Sequence, residues 1–188
     1  MTDISLTKEE KNSLLAVAKE SITFGLKHNK PLPVNERNYS SNLQQQRATF
    51  VTLNSHKQLR GCIGTLEAHQ PLIKDVAEHA FAAAFEDPRF AAVKQSEFSQ
   101  LEIHISILTP ATAMTFTSEE DLLRQMQPGV DGLILKSGNC RGTFLPSVWE
   151  QLPEPKQFLR HLKMKAGLAG DYWSSDVQIS RYTTISIS

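Results

Sequence analysis

Leu59-Arg60-Gly61-Cys62-Ile63-Gly64-Thr65 follows a run of β-branched and aromatic residues, Arg47 to Asn54, across the short polar link Asn54-Ser55-His56-Lys57. The two runs read as the arms of a β-hairpin. In the second arm alternate side chains share a face, so Arg60 and Cys62 are expected to point one way with Gly64 beside them, and Leu59, Ile63 and Thr65 the other. A guanidinium would then stand near a thiol. Such a cation favours the nucleophilic thiolate, and glycines let a ligand or a second backbone come close. The same residues have a plainer reading, in which Cys62 is a small buried hydrophobe and a glycine marks a bulge. Taken alone, they favour the plainer reading.

Downstream, Pro71 suits the first turn of a helix whose buried side carries Leu72, Val76, Ala80 and Ala84, with Ile73 and Phe81 flanking. Asp75, Glu78 and His79 are expected on its solvated side. Asp87-Pro88-Arg89-Phe90 ends this helix and places Arg89 in a loop, either as an anion clamp or in a salt bridge to a nearby carboxylate. Leu101 to Leu108 alternates Leu101, Ile103, Ile105 and Ile107 with Glu102, His104 and Ser106, which predicts a strand with one polar face. On that face Glu102 could orient His104 as a general base, or both could simply meet water.

Upstream, Thr7-Lys8-Glu9-Glu10 has the capping-box form and precedes apolar residues at helical spacing, predicting a helix from about Lys8 to Lys27. Val34 to Gln46 reads as an extended arm. Towards the C-terminus, Ser118 to Met126 reads as a short helix, and Val130–Lys136 and Cys140–Leu145 as a second hairpin around Ser137-Gly138-Asn139. A short helix from Pro146 and a longer one over Lys156–Gly167 follow, the latter with Arg160, Lys163 and Lys165 on or near its open face. Val177 to Ile187 reads as one closing strand. Hairpins separated by helices imply an α+β fold with mainly antiparallel sheet, one domain over 1–188 in two lobes.

Composition excludes several classes. Hydrophobic residues make up 40% and charged ones 21%, the balance of an ordinary globular chain. Twenty basic against twenty acidic residues give no net charge, which argues against a broad grip on nucleic acid. Two cysteines do not make a disulfide framework, the N-terminus lacks a signal-peptide layout, and no apolar run approaches the ~20 residues of a membrane span. A cytoplasmic protein without a membrane segment is expected. The chain has no Gly-x-x-x-x-Gly-Lys, Gly-x-Gly-x-x-Gly, His-Glu-x-x-His, Gly-x-Ser-x-Gly or Cys-x-x-Cys, so no cofactor or metal is expected.

Leu-Arg-Gly-Cys-Ile-Gly at 59–64 resembles the signature of the AMMECR-like domain family. Phe85 to Phe90, Leu101 to Pro110, Arg141 to Pro146, and Lys165 to Leu168 followed by Trp173 are similar to later family blocks in the same order. The resemblance implies a two-subdomain α+β fold with the signature near the groove between the lobes, and no established reaction. It also implies kinship with protein A of the AmmeMemoRadiSam set, which pairs such chains with a Memo-like protein and a radical S-adenosylmethionine enzyme.

Three functional expectations follow. The first is a thiol-dependent enzyme acting on an anionic substrate, with Cys62 as nucleophile, Arg60 as thiolate stabiliser or anion clamp, His104 and Glu102 as base and orienter, and Gly61, Gly64, Arg89 and Arg141 towards the ligand. The second is a non-catalytic partner or scaffold of the Memo-like and radical enzymes, in which Cys62 is filling. The third, RNA binding or modification, is disfavoured by the zero net charge.

Overall fold

The computed structural model describes residues 5–188. Its helices are α1 (Lys8–His28), α2 (Ser41–Gln44), α3 (Leu72–Phe85), α4 (Glu119–Gln125) and α5 (Pro155–Lys165). Its strands are β1 (Thr49–Ser55), β2 (Gln58–Gly64), β3 (Leu101–Leu108), β4 (Thr112–Ala113), β5 (Gly132–Ser137), β6 (Cys140–Phe144), β7 (Gln178–Tyr182) and β8 (Thr184–Ile187). They form two four-stranded sheets in an α+β fold, ordered β2-β1-β3-β8 and β4-β7-β5-β6. Residues 109–184 make one compact unit, and the rest of the described chain the other.

In the first unit, α1 begins at a capping box: Glu10 N–H donates to Thr7 Oγ1 and the Glu10 carboxylate accepts from Thr7 N–H. That carboxylate also accepts from Ser40 Oγ at 2.6 Å and Asn42 Nδ2 at 3.3 Å, and the Ser40 bond first of all holds it below the usual Glu range. Segment 34–46, expected as an extended arm, is thereby fastened to the helix start. It folds locally into a 3-10 turn at Glu36–Asn38 and the single turn α2. The unit's core joins Leu14, Ala18 and Ile22 of α1, Val76, Ala80 and Ala83 of α3, and Val51, Leu53, Ile103 and Ile105 of the sheet.

The β1–β2 turn is made by His56 and Lys57 alone, both at positive φ (52° and 64°), with Ser55 opposite Gln58. Two left-handed residues give the turn a twist that matches a hairpin's strands. One residue further in, the pairing slips between Leu53 and Asn54: Asn54 faces Leu59, Leu53 faces Gly61, and Arg60 has no partner of its own.

In the second unit, Trp149 stacks on Phe158 at a centroid separation of 3.8 Å and Phe144 meets Phe158 edge-on at 5.2 Å. Trp149 Nε1 donates to Asp131 O at 2.8 Å, satisfying the indole inside this core. Burial pushes the Tyr182 phenol up to about 12. Lys163, expected on or near an open face, is fully buried. Its ammonium lies 2.9 Å from Oε1 of the partly exposed Glu119 and 5.4 Å from the Trp173 ring centroid, so the buried charge is paired at the edge of the core.

The closing segment Val177–Ile187 is not one strand. β7 pairs with β4 and β5, while β8 joins the sheet of the first unit next to β3. Between them Thr183 bonds to Thr109 instead: Thr109 N–H donates to Thr183 O at 2.9 Å and Thr183 N–H to Thr109 Oγ1 at 2.8 Å.

Candidate functional site

The site is built on the face of β2-β1-β3 that turns away from α3. Val51, Leu53, Ile103 and Ile105 are buried on one face, which leaves Thr52, Cys62 and His104 together on the other. Thr52 pairs with Cys62 on one side and with His104 on the other. Cys62 Sγ and Thr52 Oγ1 are 3.2 Å apart, and the thiol is half-buried. His104 lies two strand spacings from Cys62, roughly 10 Å between backbones. Glu102, exposed, follows on the same face opposite Asn54.

β2 is the outer strand of its sheet, and the free edge of Cys62 is occupied by the loop after α3. Cys62 N–H donates to Asp87 Oδ2 at 2.8 Å, and Cys62 O accepts from Arg89 Nη2 at 3.3 Å. The Asp87–Arg89 pair thus does for this residue what a neighbouring strand would do. Asp87 also accepts from Arg89 N–H at 3.1 Å, Nε at 2.9 Å and Nη2 at 2.7 Å. These bonds, Arg89's first and Cys62 N–H's after, hold the Asp87 carboxyl far below the usual Asp range against the opposing effect of burial. Asp87 has 2% of its side chain exposed and Arg89 55%, so the pair offers solvent a guanidinium backed by a buried carboxylate. The Arg89 pKa is raised, chiefly by Asp87, with Cys62 a lesser electrostatic cause.

Arg60 is paired with an acid, Glu97. The bulge removes the regular alternation that would have set it beside Cys62. Its guanidinium forms a fork with Glu97, Nε to Oε1 at 3.0 Å and Nη2 to Oε2 at 3.3 Å, and it lies 6.0 Å from the Phe90 ring centroid. The guanidinium bonded to Cys62 is that of Arg89, for which both expected roles were open.

The two signature glycines are crowded by protein backbone. A Cβ on Gly61 would run into the Ala83 carbonyl of α3, and one on Gly64 into the Thr49 carbonyl and the Phe50 ring. Both readings meet at Gly61, which a second backbone approaches closely and which adjoins the bulged residue Arg60, while at Gly64 it is the close approach that applies. Arg141 lies on β6 in the second unit, exposed, with Lys136 as its cross-strand neighbour. Cys140 precedes it there, also as a free thiol.

Sequence reasoning missed two features. Thr52, the thiol's hydrogen-bond partner, sits in an ordinary strand run and is found only through the pairing. Asp75, expected at a solvated face with His79, is fully buried. It accepts from Thr49 Oγ1 at 2.6 Å and Gln70 Nε2 at 3.2 Å, and lies 3.0 Å from His79 Nδ1. The Thr at position 49 is the local clue, a polar residue placed where β1 continues its buried face. Among the described residues no group of three or more His, Cys, Asp or Glu side chains could hold a metal ion.

The sequence profile of the AMMECR1 family matches residues 15–187. A protein of Methanothermobacter thermautotrophicus is 35% identical over 179 residues, covering 94% of this chain and 93% of that one. Protein MK0488 of Methanopyrus kandleri is 33% identical over 178 residues, covering 90% and 83%. The crystal structure of uncharacterized protein PH0010 from Pyrococcus horikoshii is similar in fold at a TM-score of 0.89 and 31% identity, covering 96% of this chain and 92% of that one.

Proposed function

This chain belongs to the AMMECR1 family, and from that premise we propose that it is a thiol-dependent enzyme acting on a substrate with an anionic group. The observation that supports this most is the clamp on Cys62, in which a half-buried thiol has its own N–H and C=O held by Asp87 and by a half-exposed Arg89. A nucleophile fixed at both backbone groups keeps its direction, which lowers the cost of reaching an attack geometry. Arg89 spends Nε and Nη2 on Asp87 and Cys62 and lies 5.4 Å from the Phe90 ring centroid, and among the described residues its Nη1 makes no hydrogen bond. That nitrogen would bind the anionic group. The Cys62 thiol, giving its proton to water, would add through Sγ to a neighbouring carbonyl carbon, the C=O π pair moving to the oxygen as the S–C bond forms, and His104, across Thr52 with Glu102 beside it, would donate a proton to that oxygen. The anion-clamp role open to Arg60 passes to Arg89. The protein acts in the cytoplasm as one domain of two α+β lobes in this reading.

The test uses two alkylating reagents that differ in charge. Iodoacetate should modify Cys62 at least about threefold faster than iodoacetamide relative to the same ratio on a free-thiol peptide, and Arg89→Gln should erase that preference. An equal ratio in the folded wild-type protein would remove the anion-binding role.

A second reading is favoured by the glycines. Gly61 and Gly64 are both filled by the chain's own backbone, so the signature would serve to seat α3 against the sheet, with Cys62 as packing. The chain would then be a partner of a Memo-like protein and a radical S-adenosylmethionine enzyme. Retained binding to either by Cys62→Ser, measured by co-purification, would support this reading.

A further inference from the structure

On the first unit, one side of α1 forms an open groove of about 440 Å³ lined by Lys19, Glu20, Thr23, Phe24, Lys27 and His28, with Leu32 and Phe98 completing it. This volume falls in the range of small-molecule sites. The apolar surface is contributed by Phe24, Leu32 and Phe98, and the Phe24 ring packs at a tilt on that of His28, the centroids 4.2 Å apart and the planes at 35°, which holds Phe24 in place. Lys19 and Lys27, eight residues apart and so about 12 Å along the helix, stand at either end. Glu20 is the single acid in the lining. Among the described residues neither lysine is held in an ion pair.

We infer that this groove binds a small organic anion with a flat aromatic body. The ring would lie against Phe24 with Leu32 and Phe98 beside it, gaining from the burial of apolar area and from ring contact. Its carboxylate would be drawn to the lysines, two cations against one acid. Lys27 and His28 stand at the C-terminal end of α1, where they partly offset the negative end of the helix dipole. Lys19, two turns further in, is therefore the better anion contact. A long acidic peptide would need a groove continuing beyond these residues, and a membrane surface would need a flat, wholly basic face; this groove is small, ring-lined and bounded at both ends by one cation.

The probe is naphthalene-2-carboxylate, compared with naphthalene-2-carboxamide, titrated into the full chain and followed by amide chemical shifts. The carboxylate should bind saturably with its shift changes on residues 19–28, at least tenfold more tightly than the amide. Lys19→Gln/Lys27→Gln, two exposed positions whose loss leaves the helix intact by circular dichroism, should weaken the carboxylate at least tenfold and leave the amide unchanged. Equal affinity for acid and amide, shift changes centred elsewhere, or an unaffected double variant would each overturn the inference.

Discussion

Cys62, Asp87 and Arg89 show how one residue can be fixed by two side chains where a sheet runs out of strands. The cost of leaving an edge N–H and C=O unpaired is avoided without extending the sheet. The arrangement is ionic, so it carries a pH signature. Asp87 has a folded pKa far below its unfolded value of about 3.9. A carboxyl depressed in the fold stabilises fully above the unfolded pKa and loses that contribution as pH falls through the folded one. Asp87→Asn is therefore expected to cost about 2–3 kcal/mol at pH 7. The gap between wild type and variant in urea unfolding should narrow steadily below about pH 4, and a gap constant down to pH 2 would contradict the account. At this scale the sequence was least legible. Arg89's salt bridge is local and was foreseen as one of two uses, whereas Asp87's acceptance of Cys62 N–H spans 25 residues of chain and leaves no local trace.

Among the elements, those whose pattern is local came through. The capping box fixes the start of α1 at Lys8, and the alternation of β3 fixes its span at Leu101–Leu108. The differences from the local reading come from long-range partners. Thr49 on β1 draws Asp75 of α3 into the interior, Arg60 at the bulge bonds Glu97, 37 residues on, and Thr109 divides the closing segment into β7 and β8. The packing of α3 on β2 rests on Gly61, which has no room for a methyl group against the Ala83 carbonyl. Gly61→Ala must push helix and strand apart and should destabilise the fold by about 2–3 kcal/mol. It should also slow or scatter Cys62 alkylation, since the neighbouring residue shifts. An unfolding midpoint in urea within error of wild type would show that α3 does not depend on this contact.

For the whole molecule, the α+β class and the grouping of strands into hairpins were legible because each hairpin is contiguous in sequence. The division of the last strand between two sheets was not, because it depends on which sheet each half joins. No helix of the described chain is long and apolar enough to cross a membrane. The central functional claim concerns one thiol in one unit, and it has a direct test. The rate of iodoacetamide alkylation at Cys62 and Cys140 would be measured at pH 7 in the folded protein and again in urea, resolved by peptide mass spectrometry. The account predicts that Cys62 reacts several-fold faster folded than unfolded, that Cys140 gains nothing from folding, and that Arg89→Gln removes the gain at Cys62. If Cys62 stays inert until the chain unfolds, the thiol is packing and the enzymatic reading is wrong.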